Sequence, residues 1–495
     1  MPPASSPSAS ACPTARPGSS WPDDWSAPAC PWRRLRPISP ASACWCATRT
    51  ASASNSGAPP PTLATASPAC YTAGVRQPLT LRRLRPALQQ QTARALVNRD
   101  YALFLAGAFV SALGSWLQTV ALGWLVLDLG RSVFLLGLAN FAQMVPLLLF
   151  GLLGGALADR LPRRTILLVT QSLMCLVALG LALLTLAGVI TIPVLLGLAF
   201  LSGLCNALLW PAWPAFIRDL VGPERLRPAL ALNAARFNLT RILGPVIGGL
   251  LLAQVGVGLT LLVGALSALG VVLALLAIRP RPPSPAHPGP WRTALTEGLV
   301  YAWRAPLVRR LLVLSALLGL VAFPYQAFLP AVARERLGLG PEGLGLLLTA
   351  VGVGAVSGAL WSGTAWVGRH PHRALTLTVL GTGLGLCALA AAAALPTALG
   401  ALVLLGLASI AYLATANATV QLAVPEHLTG RIMGLWVVVN SGTMPLGSLL
   451  LGALAERLHL SGVFLLAGGL CLLLGLDGLR HWQSGLPARR TGVGL

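Results

Sequence analysis

Residues 154–165 read GGALADRLPRRT, with MVPLLLFGLL before them and ILLVTQSLMCLVALGLALLTLAG after them. One carboxylate, Asp159, and three guanidiniums, Arg160, Arg163 and Arg164, are confined to a short break between two apolar runs. The second run has the ~20 residues that cross a bilayer core, and the first reaches that length when followed back to Val133. A charged break this short between such runs is a loop joining two membrane helices.

Composition extends that reading to the chain. Of 495 residues, 55% are hydrophobic and 10% charged, and the mean hydropathy is +0.75. A soluble domain carries about 25% charge. The net charge of +22 would suit nucleic acid. However, the arginines sit in short clusters between apolar runs rather than on one polar face, which excludes that partner. Cys175, Cys205, Cys387 and Cys471 lie inside apolar runs and read as small core residues. The other cysteines precede residue 71 and have no histidines near them, so no metal site and no cofactor is expected.

Residues 1–74 are rich in Pro, Ala and Ser, without hydrophobic periodicity. They contain no apolar core of a signal peptide. They read as disordered, or as translation upstream of the true start, because the first methionine after Met1 is Met144.

From residue 100 the apolar runs recur at 103–127, 133–154, 165–188, 192–213, 230–254, 258–278, 307–332, 343–366, 374–394, 397–420, 431–454 and 461–479. The expectation is an all-α membrane protein with twelve transmembrane helices in two six-helix pseudo-symmetric halves. The runs are too long, and alternate too little, for barrel strands. Alternate breaks divide the loop arginines unequally: twenty-four on one side against Arg131, Arg334, Arg336 and Arg457 on the other. The positive-inside rule then places both termini in the cytoplasm. The expected organisation is an extension over 1–96, a first half over 97–278, a linker over 279–306 containing RPRPPSPAHPGP, a second half over 307–485 and a tail over 486–495. The stretch WRTALTEGLVYAWR after the linker is amphipathic and suits a membrane surface. A weak repeat supports two halves: Pro223-Glu224-Arg225-Leu226 aligns with Pro425-Glu426-His427-Leu428, and Asn238 then falls over Asn440.

The pattern Gly155-x-Leu157-Ala158-Asp159-Arg160-x-x-Arg163-Arg164 resembles the loop signature of the major facilitator superfamily, with Pro162 where that family usually has Gly. The resemblance covers 97–485. It implies rocking of two six-helix halves around a midplane site, with this loop as a gate. Asp159 would face the positive N-terminal end of a helix near Thr429–Arg431. Arg163 and Arg164 are either part of that gate or simply a topology signal. The run Arg241-Ile-Leu-Gly244-Pro245-Val-Ile-Gly248-Gly249 resembles the superfamily's antiporter motif, which implies export. The same run also reads as ordinary small-residue packing around a proline kink.

Arg241 lies near mid-depth, where a charge is costly unless paired or hydrated. It is either a cavity cation or one member of a structural ion pair, and Asn238 lies one turn away. By analogy with the superfamily, the cavity would take Gln118, Asn206, Trp210, Tyr325, Gln326 and Asn417, with Trp116 and Trp213 adding aromatic wall. The apolar runs hold no mid-span carboxylate, and no phosphate-binding GxxxxGK[ST] loop or catalytic constellation occurs. The finest placement is a resemblance to the enterobactin and macrolide exporter branch. The expectation is therefore not an enzyme. It is a monomeric secondary transporter in a bacterial inner membrane that exports a small amphipathic molecule, with protons as coupling ion and no nucleic-acid partner. An importer of a small metabolite is the alternative, followed by a non-transporting membrane scaffold.

Overall fold

The computed structural model describes residues 98–279 and 299–481. The side chains of 152–160, 427, 480 and 481 are outside the described set. The expected extension over 1–96, most of the linker over 279–306, most of the amphipathic stretch and the 486–495 tail therefore lie outside it.

Every element among the described residues is helical. The first half comprises α1 (Arg99–Gly130), α2 (Val133–Arg160), α3 (Arg163–Leu186), α4 (Ile192–Val221), α5 (Leu226–Ser267) and α6 (Leu269–Ala277). The second comprises α7 (Pro306–Val321), α8 (Pro341–Ser362), α9 (Pro371–Ala391), α10 (Leu395–Ala423) and α11 (Glu426–His481). The ends follow local chemistry. Asn98 caps α1 by accepting from the Asp100 and Tyr101 amides at 3.1 and 3.3 Å. The helix stops where Arg131 turns left-handed at φ 47°. Gly222, at φ 73°, ends α4.

Ten helical stretches are long and apolar enough to cross a membrane, where the sequence suggested twelve. The difference lies in two double-length stretches, Pro223–Ala277 and Leu428–Leu479. Each contains one non-helical residue, Gly256 (φ 77°, ψ 177°) and His459 (φ 58°, ψ 158°). The sequence expected loops there, but one positive-φ residue does the work. The chain doubles back at Gly256, because Gly244 and Gly264 both abut the same turn of α1, at Trp116 and Gln118. Two points twenty residues apart on a straight helix would be about 30 Å apart and could not share that turn. The second break follows the first by 203 residues, close to the 202-residue offset of the sequence repeat, so the two halves share this device.

The halves meet along two seams, α2 against α11 and α5 against α8. In the first, a Cβ on Gly137 would stand 2.2 Å from the Ser448 carbonyl, and one on Gly442 would meet Leu148. In the second, Gly249 abuts Pro341 and Gly345, and Gly352 abuts the Arg241 backbone. Across that seam Thr349 also donates to the Ile242 carbonyl at 3.1 Å. Lipid is as apolar as leucine, so close backbone approach at small residues is what holds such helices together.

The seam contacts run from the arginine-poor ends of these helices to their middles. One buried cluster bridges both halves there, from Val120 and Leu125 to Leu344, Leu402 and Val463. At the arginine-rich end the first half has its own cluster around Tyr101, Phe104, Phe216, Ile217 and Leu275. Among the described residues, the glycine contacts between the halves thus lie at the arginine-poor end and along the middle of the seams.

Candidate functional site

A cavity of about 520 Å³ opens among α1, α3, α4 and α5. Its wall includes Ser111, Ser115, Trp116, Gln171, Trp210, Trp213, Asn233, Arg236 and Phe237. A smaller recess of about 150 Å³, lined by Gln118, Gln143, Ser202 and Asn206 among others, adjoins it through Ser115 and Thr119. Of the sequence candidates, Trp210 borders the larger cavity, with Trp116 and Trp213 as aromatic wall, and Gln118 and Asn206 border the adjoining recess. This wall belongs wholly to the first half.

The remaining candidates are placed elsewhere. Asn238 turns its amide back onto the Ala234 carbonyl at 2.9 Å rather than toward Arg241. Asn417 accepts from Gln421 at 2.6 Å. Tyr325 is 1% exposed, on the short 3-10 stretch Phe323–Phe328, and Gln326 beside it is half-buried. Arg241 is half-buried, with its backbone against Gly352 of the second half and Tyr325 within electrostatic reach. It sits at the seam rather than in the wall of the larger cavity.

Sequence reasoning passed over Arg236. Its Nη1 donates to the Ala108 carbonyl at 2.6 Å, and its guanidinium lies 5.6 Å from the Trp213 ring centroid. The available signal was a second arginine ten residues into a predominantly apolar helix.

In the opening loop, Gly155, Asp159 and Arg160 fall in the last turns of α2, and their side chains lie outside the described set. Arg163 pairs with Asp219 at the end of α4 at 2.7 Å. Arg164 caps the end of α6, donating to the Leu275 carbonyl at 2.8 Å and the Leu276 carbonyl at 3.4 Å. Both ties lie within the first half, and the second complements a helix C-terminus.

The Gly244–Gly249 run is split between two faces. Gly244 lies against Trp116, and Gly248 against Leu117 and Val120, all on α1. The Pro245 carbonyl and Gly249 face α8 of the other half. One short run thus sets both the packing inside a half and the seam between halves.

At the arginine-poor end, Arg334 pairs with Asp128 across the halves and lies 5.4 Å from the Trp124 ring centroid. Ser132 donates to Glu456, also across the halves. The ion pair is about two-fifths exposed, so it contributes only ~0.2–1 kcal/mol. The expected result for Arg334→Ala is a two- to fivefold rise in labelling of a cysteine at buried Leu125 by an impermeant maleimide. The exchange Asp128→Arg with Arg334→Asp should restore protection. Unchanged labelling in Arg334→Ala would remove the pair from the closure.

Residues 93–488 match the family model described as transmembrane secretion effector. The chain belongs to that family, within the major facilitator superfamily. It is 31% identical over 394 residues to the multidrug efflux pump Tap of Mycolicibacterium fortuitum, covering 76% of this chain and 93% of the pump. It is also 31% identical over 374 residues to the enterobactin exporter EntS of Escherichia coli K12, covering 73% of this chain and 86% of the exporter. The transporter therefore falls in the branch containing these two proteins. Its fold matches the nucleoside transporter NupG, with a TM-score of 0.65 at 14% identity over 78% of this chain and 99% of NupG. It also matches a bacterial homologue of the human lysosomal transporter Spinster, with a TM-score of 0.56 at 17% identity over 77% of this chain and 92% of the homologue. The antiporter-type run and the opening loop both fall inside the matched range.

Proposed function

We propose that the chain is a secondary active exporter of the bacterial inner membrane, moving a small amphipathic molecule of drug, macrolide or siderophore type by proton-coupled alternating access. The observation that carries this reading is the cavity around Arg236 among α1, α3, α4 and α5, in a fold whose halves touch at the arginine-poor end and along the middle of the seams. On the positive-inside rule the arginine-rich end is cytoplasmic, and export requires the cavity to load from that side. The two double-length stretches then contribute two crossings each, giving twelve with both termini inside.

Closing the arginine-rich end while opening the other would carry the cavity's contents across, and no phosphate-binding loop is needed to drive it. The names of the relatives, a multidrug efflux pump and an enterobactin exporter, support the outward direction. The test is accumulation of macrolides, catecholate siderophores and lipophilic cations in an efflux-deficient bacterium expressing the chain, with and without a protonophore. Reduced accumulation that the protonophore reverses is expected. Raised accumulation would indicate import, and an effect insensitive to protonophore would remove the proton as coupling ion.

A further inference from the structure

We infer that the larger cavity selects a planar aromatic anion and that Arg236 reads the anion's charge. The inference rests on the transport reading above, since it names what that site would carry.

Its basis is the set of donors Arg236 has left unspent. A guanidinium carries five N–H donors and cannot shed its charge. Here Nη1 spends one hydrogen on the Ala108 carbonyl and Nη2 makes no hydrogen bond among the described residues, while Nε is shut away from solvent, also without a partner. Among the described residues no ion pair includes Arg236 and no carboxylate lines the cavity beside it. A cation withdrawn from water within a membrane protein, lacking a counter-ion, leaves a site that an anion completes. Arginine is also the residue whose planar fork fits a carboxylate or sulfonate through two parallel hydrogen bonds.

The ring chemistry is set independently. The Arg236 guanidinium lies 5.6 Å from the Trp213 ring centroid, and that ring is 4.8 Å from Phe104. Trp210, 64% exposed, and Phe237, 49% exposed, line the same space as Trp213. Large aromatic faces left bare beside a charged fork suit a flat ring that carries its own acidic group. A lipophilic cation would be drawn to the rings but repelled by Arg236, with no carboxylate in the wall to offset the repulsion.

The test uses the full chain in lipid nanodiscs and three matched probes: 2-naphthoate, 2-naphthamide and trimethyl-2-naphthylammonium. Binding is read by equilibrium dialysis. The expected order is naphthoate at least tenfold tighter than naphthamide, with the ammonium weakest. In Arg236→Gln the acid should bind no better than the amide. Arg236→Lys should keep part of the preference, as a point charge without the fork. Trp210→Ala should weaken acid and amide alike. Equal binding of acid and amide by the wild type, or binding of neither, overturns the inference whether or not the variants fold. An acid preference that survives Arg236→Gln overturns it as well. If the Arg236-dependent preference holds but cells expressing the chain accumulate every compound as controls do, the site stands and the export reading falls. Export without the preference gives the converse.

Discussion

Asp159→Asn is expected to lower export about tenfold while leaving the amount of protein in the membrane unchanged. The seam between α2 and α11 runs antiparallel: Gly137 meets Ser448 and Gly452, and Leu148 meets Gly442. Continuing that register to the end of α2 brings position 159 opposite Thr429–Arg431, in the first turns of α11. The first turns of α11 lie at the positive end of the helix dipole, so a carboxylate arriving there is attracted. Such a contact contributes about 0.3–2 kcal/mol, and the upper end corresponds to roughly thirtyfold in a two-state equilibrium. The contact belongs to the state in which the arginine-rich end is closed. Its loss should strand the protein open at the arginine-rich end. Asparagine keeps the size and one acceptor oxygen but loses the charge, so it isolates the electrostatic part. Asp159→Glu should retain most of the export rate. Export by Asp159→Asn at the wild-type rate, at equal membrane level, would dismiss the gate and leave the loop as a topology signal.

The helices were legible because a membrane span must be a long apolar run, and the charged breaks between runs cannot be buried. The expected first span over 103–127 became α1 at Arg99–Gly130, lengthened at both ends by caps that hydropathy does not register. The turns at Gly256 and His459 were less legible, since a single left-handed residue reverses the chain with no polar loop to mark it. Glycine announces such a turn, whereas His459 adopts it against its own preference.

The first-half cavity residues Gln118 and Asn206 stood out as polar residues in apolar helices. Arg236 did not, because it follows Arg225 and Arg227 closely enough to pass as part of an interfacial cluster. Its partner Ala108 is 128 residues away. The Asp128–Arg334 pair was hidden in the same way: the two are 206 residues apart, and each alone looks like an ordinary loop charge. Sequence spacing reports which face a residue occupies, but not which distant backbone or charge that face will meet.

Gly249→Val carries the other large effect, because the clash it creates has nowhere to relax. A Cβ at this position would stand 2.6 Å from the Pro341 carbonyl oxygen and 3.0 Å from the Gly345 Cα, both backbone atoms of the opposing half. A side chain can rotate out of the way, but a helix backbone can only move as a whole. Overpacking of this kind costs about 1–3 kcal/mol, and that cost falls only on the state in which the seam is closed. The equilibrium should therefore move toward opening at the arginine-poor end by roughly 5- to 150-fold. Two readouts should change together in a cysteine-free background. Leu344→Cys, next to the seam glycine and fully buried, should become open to an impermeant maleimide, and export should fall at least tenfold. Gly180→Val is the control, since a Cβ there meets nothing within 4 Å, and both readouts should stay at wild-type values. A fall in export without new labelling would mean the valine damages the first half itself rather than the seam. Wild-type values for both would show that the protein does not cycle through the α5–α8 contact. The Gly244–Gly249 run would then be left with only its packing against α1.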